Sequence, residues 1–177
     1  MYVFLIFAVL LILLLFALGM IVYIIFFSVI PMVRGAFYAP TNKEALETMV
    51  RLARVEQGEK AIDIGSGDGR IVIALAKAGA IAHGYEINPL LVWWSRFKIR
   101  RAGLGNRAFI FWGDFWHQKF GSFDIVTVYG ITYIMKGLEK KLRRELKPGT
   151  RVISHGFQFP TWQCSEQSLR VYLYKQN

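Results

Sequence analysis

The chain opens on a run with almost no polar positions. From Tyr2 to Ile30 only Gly19 and Ser28 interrupt the apolar side chains. A bilayer core of roughly 30 Å needs about 20 helical residues, so this run spans one with length to spare. A signal peptide would show a basic start, a shorter apolar core and a small-residue cleavage site, and Ser28-Val29-Ile30-Pro31 supplies none of these. A core helix apolar on every face for this length is rare in a small domain. The pattern therefore predicts one N-terminal transmembrane helix, with residues 1–33 anchoring the chain in a membrane lipid bilayer.

Beyond Pro31 the pattern becomes periodic. Thr41 followed three positions later by Glu44 has the form of a capping box, and Leu46, Met49, Val50 and Ala53 continue with helical spacing up to Gly58. Residues 34–58 thus read as a connector and a pre-domain helix. Strand and helix patterns then alternate through residues 59–177. Lys60–Ile64, Ile81–Glu86, Ala108–Trp112, Asp124–Tyr129 and Arg151–His155 read as strands, and Leu169–Tyr174 as a terminal one. Arg70–Ala78, Pro89–Ala102 and Met135–Leu146 read as helices, the last stopped by Pro148-Gly149. Such alternation predicts an α/β fold, Rossmann-like and doubly wound, with a mostly parallel sheet and helices on both faces. Ligands bind such sheets at the carboxyl ends of the strands.

Charge divides the chain in the same way. The first charged residue is Arg34, so all 22 basic and 12 acidic side chains lie beyond the apolar run. Basic residues flank only its C-terminal side, and the positive-inside rule then places the domain on the cytoplasmic face, or the matrix face in a mitochondrion. The single Cys164 excludes a disulfide framework or a multi-cysteine metal site, and His83, His117 and His155 are scattered without metal-ligand spacing. Basic clusters occur at Arg96, Lys98, Arg100 and Arg101, and again from Lys136 to Lys147. Such clusters can bind nucleic acid or form a solvated helix face, but beside an anchor they also suit an anionic leaflet.

The sharpest chemical signal is Asp63-Ile64-Gly65-Ser66-Gly67-Asp68-Gly69-Arg70, where the first strand turns into a helix. Glycines let the backbone come close to a ligand, although a tight βα turn would need some of them anyway. Acids recur at the ends of three successive strands: Asp63, Glu86 and Asp114. Glu86 suits a ribose diol. Asp114, with Phe115 or Trp116 beside it, suits an adenine. The dinucleotide fingerprint would need Gly or Ala where Arg70 stands, and no Gly-Lys-Ser/Thr follows to make a P-loop. A cofactor with ribose and adenine but no phosphate fits best, which points to S-adenosyl-L-methionine. Asp63, Gly65, Ser66, Gly67, Gly69, Glu86, Asp114 and Phe115 are its candidate contacts.

Asp63–Arg70, Gly84–Ser95 and Thr127-Val128-Tyr129-Gly130 resemble class I (seven-strand) methyltransferases. More narrowly, with Phe37-Tyr38-Ala39-Pro40-Thr41 after an apolar helix and the late Phe157–Trp162 run, the chain resembles membrane-anchored lysine methyltransferases. These are the enzymes that modify ATP synthase subunit c and the adenine nucleotide translocase, together with their prokaryotic relatives. Two departures are Ala39, where the family carries a larger apolar residue, and a short tail after Trp162.

The resemblance implies methyl transfer to a lysine amine of a membrane protein, with no metal. The amine must be neutral, and a desolvated slot beside a sulfonium lowers its pKa from the usual value near 10.4. Thr41, Asn42, Tyr129, Tyr38 and the segment 129–132 are candidates for aiming it, although Thr41 also suits an N-cap. A small or lipid-like membrane substrate is the alternative, and a cofactor-binding scaffold without catalysis a further one. The Asn-Pro-Pro-aromatic motif of amino-directed nucleic-acid methyltransferases is absent where Tyr129-Gly130-Ile131-Thr132 stands, and RNA ranks last.

Overall fold

The computed structural model describes residues 2–25 and 40–177. They form two units, one holding the N-terminal helix and the other residues 40–177. Tyr38, Ala39 and the stretch 26–37, which holds the end of the expected anchor and its connector, lie outside the described residues.

Helix α1, Tyr2–Ile24, buries none of its side chains, and an 18-residue stretch of it has a mean hydropathy of 3.3. Its 23 residues rise about 35 Å, so by length and composition it can cross a bilayer.

In the second unit, α2 (Lys43–Ala53) precedes the first strand and is part of the same core. Ala45, Met49 and Leu52, at helical spacing, are buried against the sheet. The sequence pattern set this helix ahead of the domain; its apolar stripe packs into one cluster with Ala61, Ala82 and Ile153 of the sheet. Its start also differs from the expected capping box. Asn42, not Thr41, is the N-cap: its Oδ1 accepts from the Ala45 N–H at 2.8 Å. Asn serves there as well as Thr, so the local signal left the register open by one residue. The helix stops at Arg54 in the left-handed region rather than at Gly58.

The sheet comprises β1 (Lys60–Ile64), β2 (Ile81–Glu86), β3 (Ala108–Trp112), β4 (Ile125–Tyr129), β5 (Arg151–His155), β6 (Glu166–Ser168) and β7 (Val171–Lys175). Their spatial order is β3-β2-β1-β4-β5-β7-β6. The first five run parallel, and β7 pairs antiparallel with β5 and β6. The short tail thus completes a hairpin, with β6 absent from the sequence expectation. Three residues carry too little periodicity to announce a strand, and the turn uses Leu169 and Arg170 at positive φ where glycine or asparagine would have marked it.

Strand alternation divides the core. Ala61, Ala82, Ile110 and Ile153 pack under α2, α3 (Arg70–Lys77) and α4 (Pro89–Arg101). Ile62, Ile64, Val126 and Val152 pack under α5 (Thr132–Glu145) on the other face. The Phe157–Trp162 segment lies on that second face, where Phe159, Trp162 and Tyr174 meet as rings with centroids 4.9–5.6 Å apart. Glu139 of α5, buried, accepts the Thr161 backbone N–H at 3.0 Å and so ties this segment down. Between β3 and β4 there is only one turn of 3-10 helix, Phe115–His117.

Candidate functional site

The carboxyl ends of β1 and β4, which are neighbours while the chain winds off in opposite directions from them, mark the switch point of this sheet. The glycine turn after β1 lies there. Gly65, Gly67 and Gly69 all have positive φ. A side chain at Gly65 would meet nothing within 4 Å, so the space above it is open, whereas one at Gly69 would lie 2.8 Å from Ser95 Cβ. Gly65 therefore faces the site, and Gly69 lets α3 approach α4. The turn is held by β2: Gly65 and Ser66 both donate their N–H to the Tyr85 carbonyl, at 3.1 and 2.9 Å.

Asp63, the last residue but one of β1, is fully buried. Its Oδ1 accepts the Thr127 hydroxyl at 2.7 Å, while Oδ2 has no partner among the described residues. Burial lifts its pKa to about 7, the Thr127 bond opposes this, and the nearby Glu86 and Asp68 charges add to the rise. Ser66 Oγ is likewise buried without a partner among the described residues. Buried polar atoms are nearly always paired, so two orphans in one turn point to a polar ligand. An ammonium group would satisfy Asp63 Oδ2 and favour its ionised form.

Glu86, at the end of β2, is buried too, and burial raises its pKa. Its Oε2 accepts the Gly67 N–H and its Oε1 the Asn88 N–H, each at 2.8 Å. With the Ile87 N–H also acting on it, the carboxylate still has acceptor capacity left for ribose hydroxyls. The residues present thus fit an aminoacyl-ribose cofactor.

Asp68 does something different. It pairs with Arg70 at 2.9 Å and Lys98 at 2.8 Å, and these partners outweigh its burial and bring its pKa down to about 2. Arg70 also donates to the Thr41 carbonyl at 2.6 Å. The two cations fasten the glycine turn to α4 and to the residue preceding the α2 cap. Sequence reasoning missed this clamp, because Lys98 lies 30 positions from Asp68 and looked like part of a basic cluster. Thr127 was legible only as part of a resemblance, although a lone hydroxyl within the apolar run of β4 was a signal.

Asp114 caps the 3-10 helix, its Oδ1 accepting the Trp116 N–H at 2.9 Å, and Phe115 joins the core under β1. Asp114 and Phe115 follow β3 as expected, with these local roles in addition. Of the residues expected to aim an acceptor, Thr41 is buried, Asn42 is occupied as a cap, and Tyr129 stands at the end of β4. The Tyr129 ring packs on His155, the matching residue of β5, with centroids 4.2 Å apart. His155 therefore belongs to the rim of the site, a position its isolation in the sequence did not suggest. No cluster of metal-ligating side chains occurs among the described residues.

A seven-stranded sheet in this order, with a glycine turn after β1 and an acid closing β2, defines the class I methyltransferase fold. The crystal structure of an RNA methyltransferase from Salinibacter ruber in complex with S-adenosyl-L-homocysteine superposes with a TM-score of 0.73 and 32% identity, over 78% of this chain and 92% of that one. The chain belongs to the family described as the ANTKMT methyltransferase domain, which matches residues 63–166. Among its relatives, the lysine N-methyltransferase of Mus musculus named for the ATP synthase C protein is 46% identical over 125 residues, 71% of this chain and 50% of that protein. A protein-lysine N-methyltransferase of Saccharolobus islandicus is 37% identical over 131 residues, 73% of this chain and 81% of that protein. The chain spans about half the length of the mouse relative.

Proposed function

We propose that this protein is an S-adenosyl-L-methionine-dependent protein-lysine N-methyltransferase acting on a membrane protein. The observation that carries the cofactor half is the buried, half-satisfied Asp63 beneath the glycine turn, with Glu86 beside it. The acceptor half is supported by the protein-lysine N-methyltransferases among its relatives and by an apolar helix of bilayer length. α1 holds the domain at the membrane, with the domain on the side where the basic residues lie.

When bound, the cofactor supplies an electrophilic methyl on a sulfonium. Asp63 would hold its ammonium, Ser66 would add a hydroxyl, and Glu86 would receive the ribose diol, while Asp114 and Phe115 are the residues that would meet the adenine. The acceptor amine arrives past Tyr129 at the end of β4, and burial there favours its neutral, nucleophilic form. Holding it in line supplies much of the rate without a strong general base.

The test is transfer of labelled methyl from the cofactor to membranes lacking the enzyme, with the full chain added and Glu86→Ala as the control. Label in protein that becomes soluble on protease treatment, at a site mapped to lysine by intact and fragment mass, is the expected result. Label extracted with lipid into organic solvent would replace the protein acceptor with a lipid-like one, and no transfer at all would leave a cofactor-binding scaffold.

A further inference from the structure

The outer face of α4 does not look like the surface of a soluble domain. Val92, Ser95 and Ile99 are buried against the sheet, while Trp93, Trp94 and Phe97 are 67%, 45% and 44% exposed. Their rings gather at one place, with centroids 5.6–6.4 Å apart, and Leu90 stands one turn before them. A contiguous exposed aromatic patch of this kind marks a contact surface.

The charge around it is of one sign. From Ile87 to Gly113 the chain carries Arg96, Lys98, Arg100, Arg101 and Arg107 and no acidic residue. The other basic cluster is mostly neutralised: in and just after α5, Lys141, Arg143, Arg144 and Lys147 are each paired with Glu139, Glu145 or Asp124, while Lys136 and Lys140 form no ion pair among the described residues. On α4 Lys98 is spent on Asp68 and Arg96 covers the edge of β3 by donating to the Ile110 carbonyl at 2.7 and 2.9 Å. Arg100 and Arg101, one turn beyond the rings, form no ion pair among the described residues.

We infer that the outer face of α4 is a membrane-contact surface, with Trp93, Trp94 and Phe97 seated at the headgroup level of an anionic leaflet and Arg100 and Arg101 on its lipid phosphates. Tryptophan concentrates at that depth because its ring is amphipathic, and arginine is drawn there by surface potential. The inference rests on the proposed anchoring by α1. Only residues 26–39 separate the described end of that helix from the domain, a stretch reaching at most roughly 50 Å when fully extended. A second contact on α4 restricts how the tethered domain turns, and it presents the strand ends in one orientation to a substrate in the same bilayer.

The experiment uses the full chain reconstituted in nanodiscs with lipids brominated near the headgroup, containing either phosphatidylglycerol or phosphatidylcholine alone. Tryptophan fluorescence is the readout. Strong quenching is expected with phosphatidylglycerol, and W93F/W94F, which keeps the aromatic face but removes its reporters, should lose at least about half of it. R100Q/R101Q, or raised salt, should weaken it severalfold. Equal quenching in wild type and W93F/W94F would overturn the proposal. So would quenching by a single-stranded RNA oligonucleotide without any by vesicles, since bases also stack on such rings. S-adenosyl-L-homocysteine binding, measured calorimetrically on the same variants, should not change. Extraction of the wild-type chain by alkaline carbonate would instead refute the anchor, and quenching by added vesicles would still decide the α4 face.

Discussion

Asp63 and Asp68 lie five positions apart on one glycine turn, yet their surroundings push them in opposite directions. At the mouth of the turn, Asp63 is buried beside a hydroxyl and two other acids, and its pKa rises to about 7. At the foot, Asp68 is held by Arg70 and Lys98 and its pKa falls to about 2. The foot is complete within the protein, whereas Asp63 Oδ2 at the mouth has no partner among the described residues. A carboxylate that folding buries and leaves half-satisfied is a place prepared for a ligand, while one that folding pairs is a fastening.

The contrast breaks most readily at the mouth. Asp63→Asn should weaken S-adenosyl-L-homocysteine binding by about 10- to 100-fold, the worth of one charge-assisted hydrogen bond. The same change should raise the stability of the cofactor-free protein at pH 8, because no charge is then buried. Calorimetry and thermal unfolding check the two signs, and a loss of both would make Asp63 structural like Asp68. The wild type supplies the pH counterpart. Since folding raises the Asp63 pKa above its unfolded value near 3.8, the folded state holds the extra proton between about pH 4 and 7, and this contribution to stability is lost as pH rises through about 7. Affinity for a ligand bearing an ammonium should accordingly climb up to about pH 7 and then level off, with proton release on binding. Asp63→Asn should flatten that profile.

At the foot the expected loss is in stability. Asp68→Asn leaves Arg70 and Lys98 facing each other without a counter-charge and should cost about 2 kcal/mol, a drop in Tm of several degrees. In the wild type this contribution is present above pH 4 and fades as pH falls through about 2. Binding should change less than in Asp63→Asn; a larger loss would mean that the turn cannot hold its shape without the clamp. The smallest effect belongs to the neighbouring cap. Asn42→Ala should cost about 1 kcal/mol of stability and leave kcat unchanged, measured by unfolding and by methyl transfer. A fall in kcat with stability intact would return Asn42 to the acceptor site.

The mouth was legible in the sequence and the foot was not. Asp63, the glycines and Glu86 announce themselves because each lies at the end of a strand or forms its turn, so their roles follow from local spacing. The clamp joins Asp68 to Lys98 and Thr41 to Arg70, and no period links those positions. The same distinction separates the two basic clusters. Read along the chain they were alike, but folding pairs four of the six cations of one with acids and leaves Arg100 and Arg101 of the other with no ion pair among the described residues.

By itself the sequence determined the apolar helix, the alternation of strand and helix, the parallel core of the sheet and the acids at its strand ends. These depend on periodicity and on residues within one turn of each other. Only the tertiary structure decided that α2 belongs to the core, that Leu169 and Arg170 close a final hairpin, that Thr127 holds Asp63 and that His155 packs on Tyr129. It also decided which face of α4 stays uncovered. Those outcomes depend on which surfaces meet once the sheet has formed, since burial, pairing and desolvation are properties of neighbours in space.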